Sequence, residues 1–156
     1  MYQGRICFTI GQTTVAVDAR NCRELWRHEW RLQGPAVSLV NRGAAIQSGR
    51  LFRGTADGHL IALSMADGSL LWDRPITSAA DSHYLSMPAM VVGDAIVYGA
   101  AGADWGGRGW IGELAAERCA GAWRGELLDA GGGGPPTQHR CRLRASSSPT
   151  TCTTGT

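Results

Sequence analysis

Asp104 and Arg108 stand four residues apart in Gly99-Ala100-Ala101-Gly102-Ala103-Asp104-Trp105-Gly106-Gly107-Arg108-Gly109-Trp110, a Gly-rich stretch that puts an acid and a base on one loop. Charged groups on an irregular loop are where binding chemistry is expected, provided that a rigid scaffold holds the loop. The other reactive side chains are scattered. His28, His59, His83 and His139 are isolated, and none is a candidate general base. Cys7, Cys22, Cys119, Cys141 and Cys152 form no C-x-x-C and pair with no histidine at metal spacing, which argues against a zinc site.

The scaffold shows itself as a repeat. Ala16 to Trp26, Ala62 to Trp72 and Glu113 to Trp123 are each a step of ten residues. Gly4 to Ala16 is twelve, Gly49 to Ala62 thirteen and Gly93 to Glu113 twenty, so the extra residues of the third copy fall in the Gly-rich stretch. Within the copies, Ile6–Ile10, Thr14–Val17 and Leu25–Arg27 read as strands, as do Leu51–Gly54, His59–Leu63 and Leu70–Trp72. Asp57-Gly58 between apolar runs is a hairpin signal. Val37–Val40 and Met87–Val92 are candidates for the remaining strand of each unit. Cys22 and Cys119 occupy the turn slot that Gly68 fills in the second copy, where glycine relieves a positive φ. Four-stranded units recurring every ~40 to 50 residues have the period of propeller blades. Trp26, Trp72 and Trp123 are then expected to dock each blade on the next. The fold expected is all-β, a partial propeller of two to three blades over residues 1–125. Two or three blades do not close a ring, so the chain is expected to be a fragment or one part of an assembly, with a raw sheet edge.

Composition narrows the function classes. With 156 residues, 44% of them hydrophobic and 18% charged, the chain is expected to fold at least in part. The net charge of +2 carries no argument for nucleic acid, although all 15 basic residues are arginine, and no basic stripe with interleaved aromatics appears. The longest apolar runs fall short of the ~18 residues of a membrane span. Met1-Tyr2-Gln3-Gly4-Arg5 leads straight into a strand and does not read as a signal peptide. Residues 126–156 carry Gly131-Gly132-Gly133-Gly134-Pro135-Pro136, Ser146-Ser147-Ser148-Pro149 and a Thr-rich end without alternation, and are expected to be a disordered tail. Either an altered reading frame or a native flexible end would produce it.

The A-x-D-x-x-T-G-x-x-x-W pattern, seen as Ala16-Val17-Asp18 to Trp26 and Ala62-Leu63-Ser64 to Trp72, resembles the quinoprotein alcohol dehydrogenases. Val40-Asn41-Arg42-Gly43 and Gly102-Ala103-Asp104 with Gly107-Arg108-Gly109 are more specific marks of the same family. The resemblance covers about residues 5 to 112 and implies an eight-bladed propeller holding pyrroloquinoline quinone, with calcium or a lanthanide, in a central funnel. Carried over by position, Arg42 would pair with cofactor carboxylates, Ser86 would bond the cofactor where a threonine is usual, and Ala101, Gly102 and Ala103 would lie along its ring. Asp104 would ligate the metal, one methylene shorter than the usual glutamate. Each has a plainer alternative: a surface arginine, a turn serine, a capping acid in a Gly-rich turn. Ala36-Val37 replaces the adjacent cysteine pair many members carry. The family's catalytic aspartate, asparagine ligand and stacking tryptophan have no counterpart, so no residue here is assigned a catalytic role.

Two functions follow from the resemblance. One is a fragment of an enzyme that oxidises a small alcohol and passes electrons to an acceptor such as a cytochrome c, periplasmic by family and inactive without the rest of the propeller. The other is a non-catalytic propeller of the outer-membrane assembly type, which uses the same docking repeat to bind proteins. Arg42 together with Gly102 to Gly109 favours the first, because a scaffold has no need of them.

Overall fold

The computed structural model describes residues 1–107, 109–115, 121–126 and 142–144, and among them every regular element beyond two single 3-10 turns is a β-strand. Strands β1 (Arg5–Ile10), β2 (Thr13–Asp18) and β3 (Glu24–Glu29) form the first sheet. The second has β4 (Ala45–Gln47), β5 (Arg50–Gly54), β6 (His59–Ser64) and β7 (Leu70–Pro75) in sequence order. The third has β8 (Met90–Val92), β9 (Ala95–Ala100), β10 (Trp110–Ala115), β11 (Gly121–Glu126) and β12 (Arg142–Arg144). All pairings are antiparallel. No helix among the described residues is long and apolar enough to cross a membrane.

The repeat read from spacing is a repeat of register. Ala16 pairs with Trp26, Ala62 with Trp72 and Glu113 with Trp123, and the residue after each first partner meets a β-bulge. A bulge sharpens the local twist, so one irregularity in three sheets gives them a common shape for face-to-face packing. The turns repeat as well. Cys22 N–H donates to Asp18 O and Gly68 N–H to Ser64 O, both at 2.9 Å. The side chains do the same work: Asp18 Oδ1 accepts from Arg20 N–H at 2.8 Å, Ser64 Oγ from Ala66 N–H at 3.2 Å. Ser64 thus keeps the turn without the acid. Cys22 sits at φ 57° and Gly68 at φ 76°, the positive region the spacing predicts. Cys119 lies outside the described residues.

Two apolar clusters seal the sheets against each other. Between the first and second lie Ala16, Trp26, Trp30, Leu51, Ile61, Leu63 and Met65; between the second and third lie Phe52, Leu60, Ala62, Trp72, Leu85, Ile96, Tyr98 and Leu114. Strands β5 and β6, lying in the middle sheet, are covered on both faces and buried along nearly their whole length. The outer face of β1 is open: Ile6 is 41% and Ile10 63% exposed, whereas Leu51, which holds Ile6's register position in the second sheet, is fully buried.

Two expectations change. Val37–Val40 forms no strand; the edge strand of the second sheet is Ala45–Gln47, because the intervening chain is drawn into side-chain contacts of Asn41 and Arg42 rather than a ladder. Of the proposed second strand, Met90–Val92 is extended, and Met87 to Ala89 belongs to the preceding loop. Most of residues 126–156 lies outside the described residues; Glu126 ends β11, and Arg142–Arg144, inside the expected tail, pairs with β11 as a fifth strand.

Candidate functional site

Three loops meet at one end of the sheets: the β3–β4 connection with Asn41 and Arg42, the β7–β8 connection with Ser82 to Ser86, and the β9–β10 loop with Ala101 to Gly107. Backbone bonds join them. Arg42 N–H donates to Ser86 O at 2.9 Å, and Tyr84 and Ala101 exchange N–H···O bonds of 3.1 and 3.0 Å as an isolated bridge. The Gly-rich loop is thereby fastened to the segment that carries Ser86.

Arg42 and Ser86 are in direct contact. The guanidinium Nη1 donates to Ser86 Oγ at 3.0 Å, with Ser86 buried and Arg42 exposed. An exposed guanidinium with one hydrogen bond to a buried hydroxyl keeps most of its donors turned to solvent, as a receptor for a carboxylate requires. Ala101 is half-buried and Gly102 buried at φ 143°, a backbone state that suits glycine, and a Cβ there would run into Ser82 O. Ala103 opens the 3-10 turn Ala103–Trp105. On that turn Asp104 is exposed, and it is not part of the contact between Arg42 and Ser86. Among the described residues no group of three or more His, Cys, Asp or Glu is placed to hold a metal ion. Arg108 lies outside the described residues.

Beneath the loops the packing is polar and close. Tyr98 Oη donates to Met87 O, and burial pushes the phenol's pKa up. Arg53 is fully buried between the first two sheets, donating to Gly11 O at 2.8 Å, Thr13 O at 3.2 Å, Thr14 Oγ1 at 3.0 Å and Gly54 O at 3.1 Å. Burial pulls its pKa down to about 10, which leaves it charged at neutral pH.

Sequence reasoning set His83 aside as isolated. It is buried under the Gly-rich loop, where a Cβ on Gly107 would come within 2.8 Å of its ring. Asn41 was seen only as part of a motif. Its side chain makes three hydrogen bonds: Oδ1 accepts from Thr9 Oγ1 at 2.9 Å and from Gly43 N–H at 3.0 Å, and Nδ2 donates to Gly54 O at 2.9 Å. The signal for Asn41 was its place beside an arginine in a loop; for His83 it was a facing glycine, legible only once the loops were brought together.

A family model described as outer membrane protein assembly factor BamB, of the PQQ-repeat type, matches residues 1–104. The chain belongs to this family of propeller repeats. Within that class it is similar to quinoprotein alcohol dehydrogenases. It is 32% identical over 115 residues to the quinohemoprotein alcohol dehydrogenase ADH IIB of Pseudomonas putida, an alignment covering 70% of this chain and 17% of that one. The structure of quinohemoprotein alcohol dehydrogenase ADHIIG from Pseudomonas putida HK5 superposes with a TM-score of 0.74 at 26% identity, over 81% of this chain and 19% of that one. BamB from Moraxella catarrhalis superposes with a TM-score of 0.60 at 21% identity, over 83% of this chain and 38% of that one, and shows the shared fold. The three sheets are thus adjacent blades of a partial β-propeller.

Proposed function

We propose that this chain forms three neighbouring blades of a quinoprotein alcohol dehydrogenase and supplies one wall of its cofactor funnel. The observation that carries the reading is the Arg42–Ser86 contact: residues 44 positions apart, on connections leading into different blades, place a guanidinium and a hydroxyl 3.0 Å apart. That donor pair fits one edge of a polycarboxylated quinone, because the fork can take a carboxylate while the hydroxyl fixes its orientation. Ala101, Gly102 and Ala103 would lie along the ring. When bound, pyrroloquinoline quinone supplies the hydride acceptor for oxidation of a small alcohol. For the metal the fit is incomplete. Asp104 offers the hard oxygen that calcium or a lanthanide takes, but six or more ligands are the rule and the described residues bring no group of three or more His, Cys, Asp or Glu together.

The residues here bind and orient; a base within reach of the substrate hydroxyl has to come from other blades. The chain alone is therefore expected to be inactive, and the whole protein to act in the periplasm with an electron acceptor such as a cytochrome c. Titrating the purified chain with pyrroloquinoline quinone tests the reading. Quenching of tryptophan fluorescence that Arg42→Ala weakens about tenfold, the worth of one charge-assisted bond, supports it, while binding indifferent to Arg42 overturns the site. A dye-linked assay with quinone and calcium or a lanthanide should give no turnover; turnover abolished by Asp104→Ala would show that the chemistry lies in this chain.

The description of the matching family favours a second reading, a non-catalytic propeller that binds proteins. Absence of any quinone binding, with outer-membrane assembly proteins retained by the immobilised chain, would select it.

A further inference from the structure

We propose that Asn41 is the positioning residue of Arg42, a latch that makes the arginine's place depend on the junction between the first two blades. The inference rests on the reading of Arg42 as a cofactor-binding residue. Asn41 stands next to Arg42 and spends both ends of its amide on other segments. Its oxygen takes Thr9 Oγ1 of β1 at 2.9 Å, and its nitrogen reaches Gly54 O at the end of β5 at 2.9 Å. The same oxygen accepts Gly43 N–H at 3.0 Å, so the bonds of one side chain bracket Arg42 from both sides. Arg42 N–H then donates to Ser86 O at 2.9 Å, tying the loop to the β7–β8 connection. One loop is fastened to the first two blades and to the connection that leads into the third.

The amide's orientation is fixed by its partners. A flipped Asn41 would set its NH2 against the Gly43 N–H and its oxygen against Gly54 O, so neither contact could persist. No isosteric residue serves: aspartate lacks the donor for Gly54 O, and leucine lacks both functions. Gly54 O also accepts Arg53 Nε, whose guanidinium runs to Gly11, Thr13 and Thr14 of the first blade. The latch is therefore anchored in the buried polar network of the junction. An exposed arginine otherwise spreads over many rotamers, and fixing its backbone is what aims the fork at a carboxylate.

The test uses the full chain and two readouts. Without ligand, amide hydrogen exchange of Arg42 is compared with that of Leu60 and Ile61 in β6. Asn41→Ala is expected to speed Arg42 exchange tenfold or more while the β6 amides keep their rates. With pyrroloquinoline quinone added, Asn41→Ala should weaken binding about as much as Arg42→Ala, and the double variant should be no worse than either. Thr9→Val, which removes one of the three bonds, should give a smaller acceleration that Thr9→Ser reverses; it decides the matter if Asn41→Ala also loosens β6. Unchanged Arg42 exchange in both variants, or affinity losses that add, overturns the latch. Should the chain bind no quinone while Arg42 exchange responds as stated, the latch stands and the cofactor reading falls.

Discussion

The first two blades close on each other through a tryptophan laid over a glycine turn, and the second and third close through an apolar cluster that includes Leu60, Trp72, Ile96, Tyr98 and Leu114. At the first junction Trp26 Nε1 donates to Met65 O at 3.1 Å and its ring covers Gly68 so tightly that a Cβ there would lie 2.5 Å from Cε3 and 2.8 Å from Cδ2. Arg5 Nη1 reaches the same Met65 O at 2.5 Å. At the second junction Trp72 holds the equivalent register, but its ring leans on Phe52, with centroids 5.9 Å apart, and its buried Nε1 finds no acceptor among the described residues. The repeat preserves where the tryptophan stands; the third-blade turn at the register of Gly68 lies outside the described residues. Polar links at the second junction are made at the loop end, by Arg42 and Ser86, and at the β8–β9 turn, where Gln47 Nε2 donates to Gly93 O. One junction is specialised for cohesion; the other leaves its hydrogen-bonding groups at the rim, where a ligand can use them.

The contrast breaks most readily at Gly68. Alanine there would need a Cβ inside the Trp26 ring and a side chain at φ 76°. A left-handed residue costs about 1 to 2 kcal/mol and overpacking about 1 to 3 kcal/mol, so Gly68→Ala should destabilise the chain by roughly 2 to 5 kcal/mol in urea denaturation. A loss under ~1 kcal/mol, small for either cause, would mean that the first junction is not closed at this turn.

Paired tryptophan substitutions sharpen the difference. Trp26→Phe removes a bond worth about 1 kcal/mol and leaves Met65 O with one donor fewer, whereas Trp72→Phe removes a donor with no bond among the described residues. Both lose ring volume, so Trp26→Phe should cost about 1 kcal/mol more than Trp72→Phe. Equal costs would show that the two dockings are energetically alike.

The first junction also holds a carboxylate that couples folding to pH. Asp57 accepts from Thr55 Oγ1 at 2.5 Å, Gln33 N–H at 2.7 Å and Trp30 Nε1 at 3.0 Å. Burial, the largest influence, pushes its pKa up, but these donors and the nearby His59 together hold the carboxyl below its ordinary value. A depressed pKa means that the contribution is present above the unfolded-chain value near 4 and is lost as pH falls through the folded value. Asp57→Asn should destabilise the chain at neutral pH by about 1.5 kcal/mol, the worth of one charged hydrogen bond, and flatten the decline of stability on the acid side. An unchanged acid limb would place the sensitivity elsewhere.

Strand positions, the Ala–Trp register and the positive-φ turn were legible because period and spacing report which side of a strand a residue faces, and that is decided locally. The edge strand at Ala45–Gln47 was not, since Val37–Val40 has the more apolar composition and only the contacts of Asn41 with Thr9 and Gly54 show why that segment stays a loop. The same limit applied to the site. Arg42, Ser86 and the Gly-rich loop could be named one by one from motifs, but their convergence and the burial of His83 under Gly107 depend on contacts between residues 17 to 44 positions apart. Pattern gives the blades; the joins between them come from pairings that no local window contains.

The smallest effect compares the two turns directly. Cys22 and Gly68 have the same backbone bond to the residue four before and similar positive φ, yet only Gly68 lies under a tryptophan; Cys22 is exposed. At Gly68 glycine is required twice, for conformation and for space. At Cys22 only the conformational term operates, and the side chain meets no such ring. Cys22→Gly should remove a left-handed strain of about 1 to 2 kcal/mol against an added unfolded-state entropy cost of roughly 0.5 to 1 kcal/mol. A net gain of about 0 to 1.5 kcal/mol follows, with Cys22→Ala near neutral because alanine meets the same φ. Urea midpoints of the three chains at equal m values give the comparison. If Cys22→Gly is no more stable than Cys22→Ala, the turn relaxes without glycine, and the severe cost predicted at Gly68 would come from Trp26 alone.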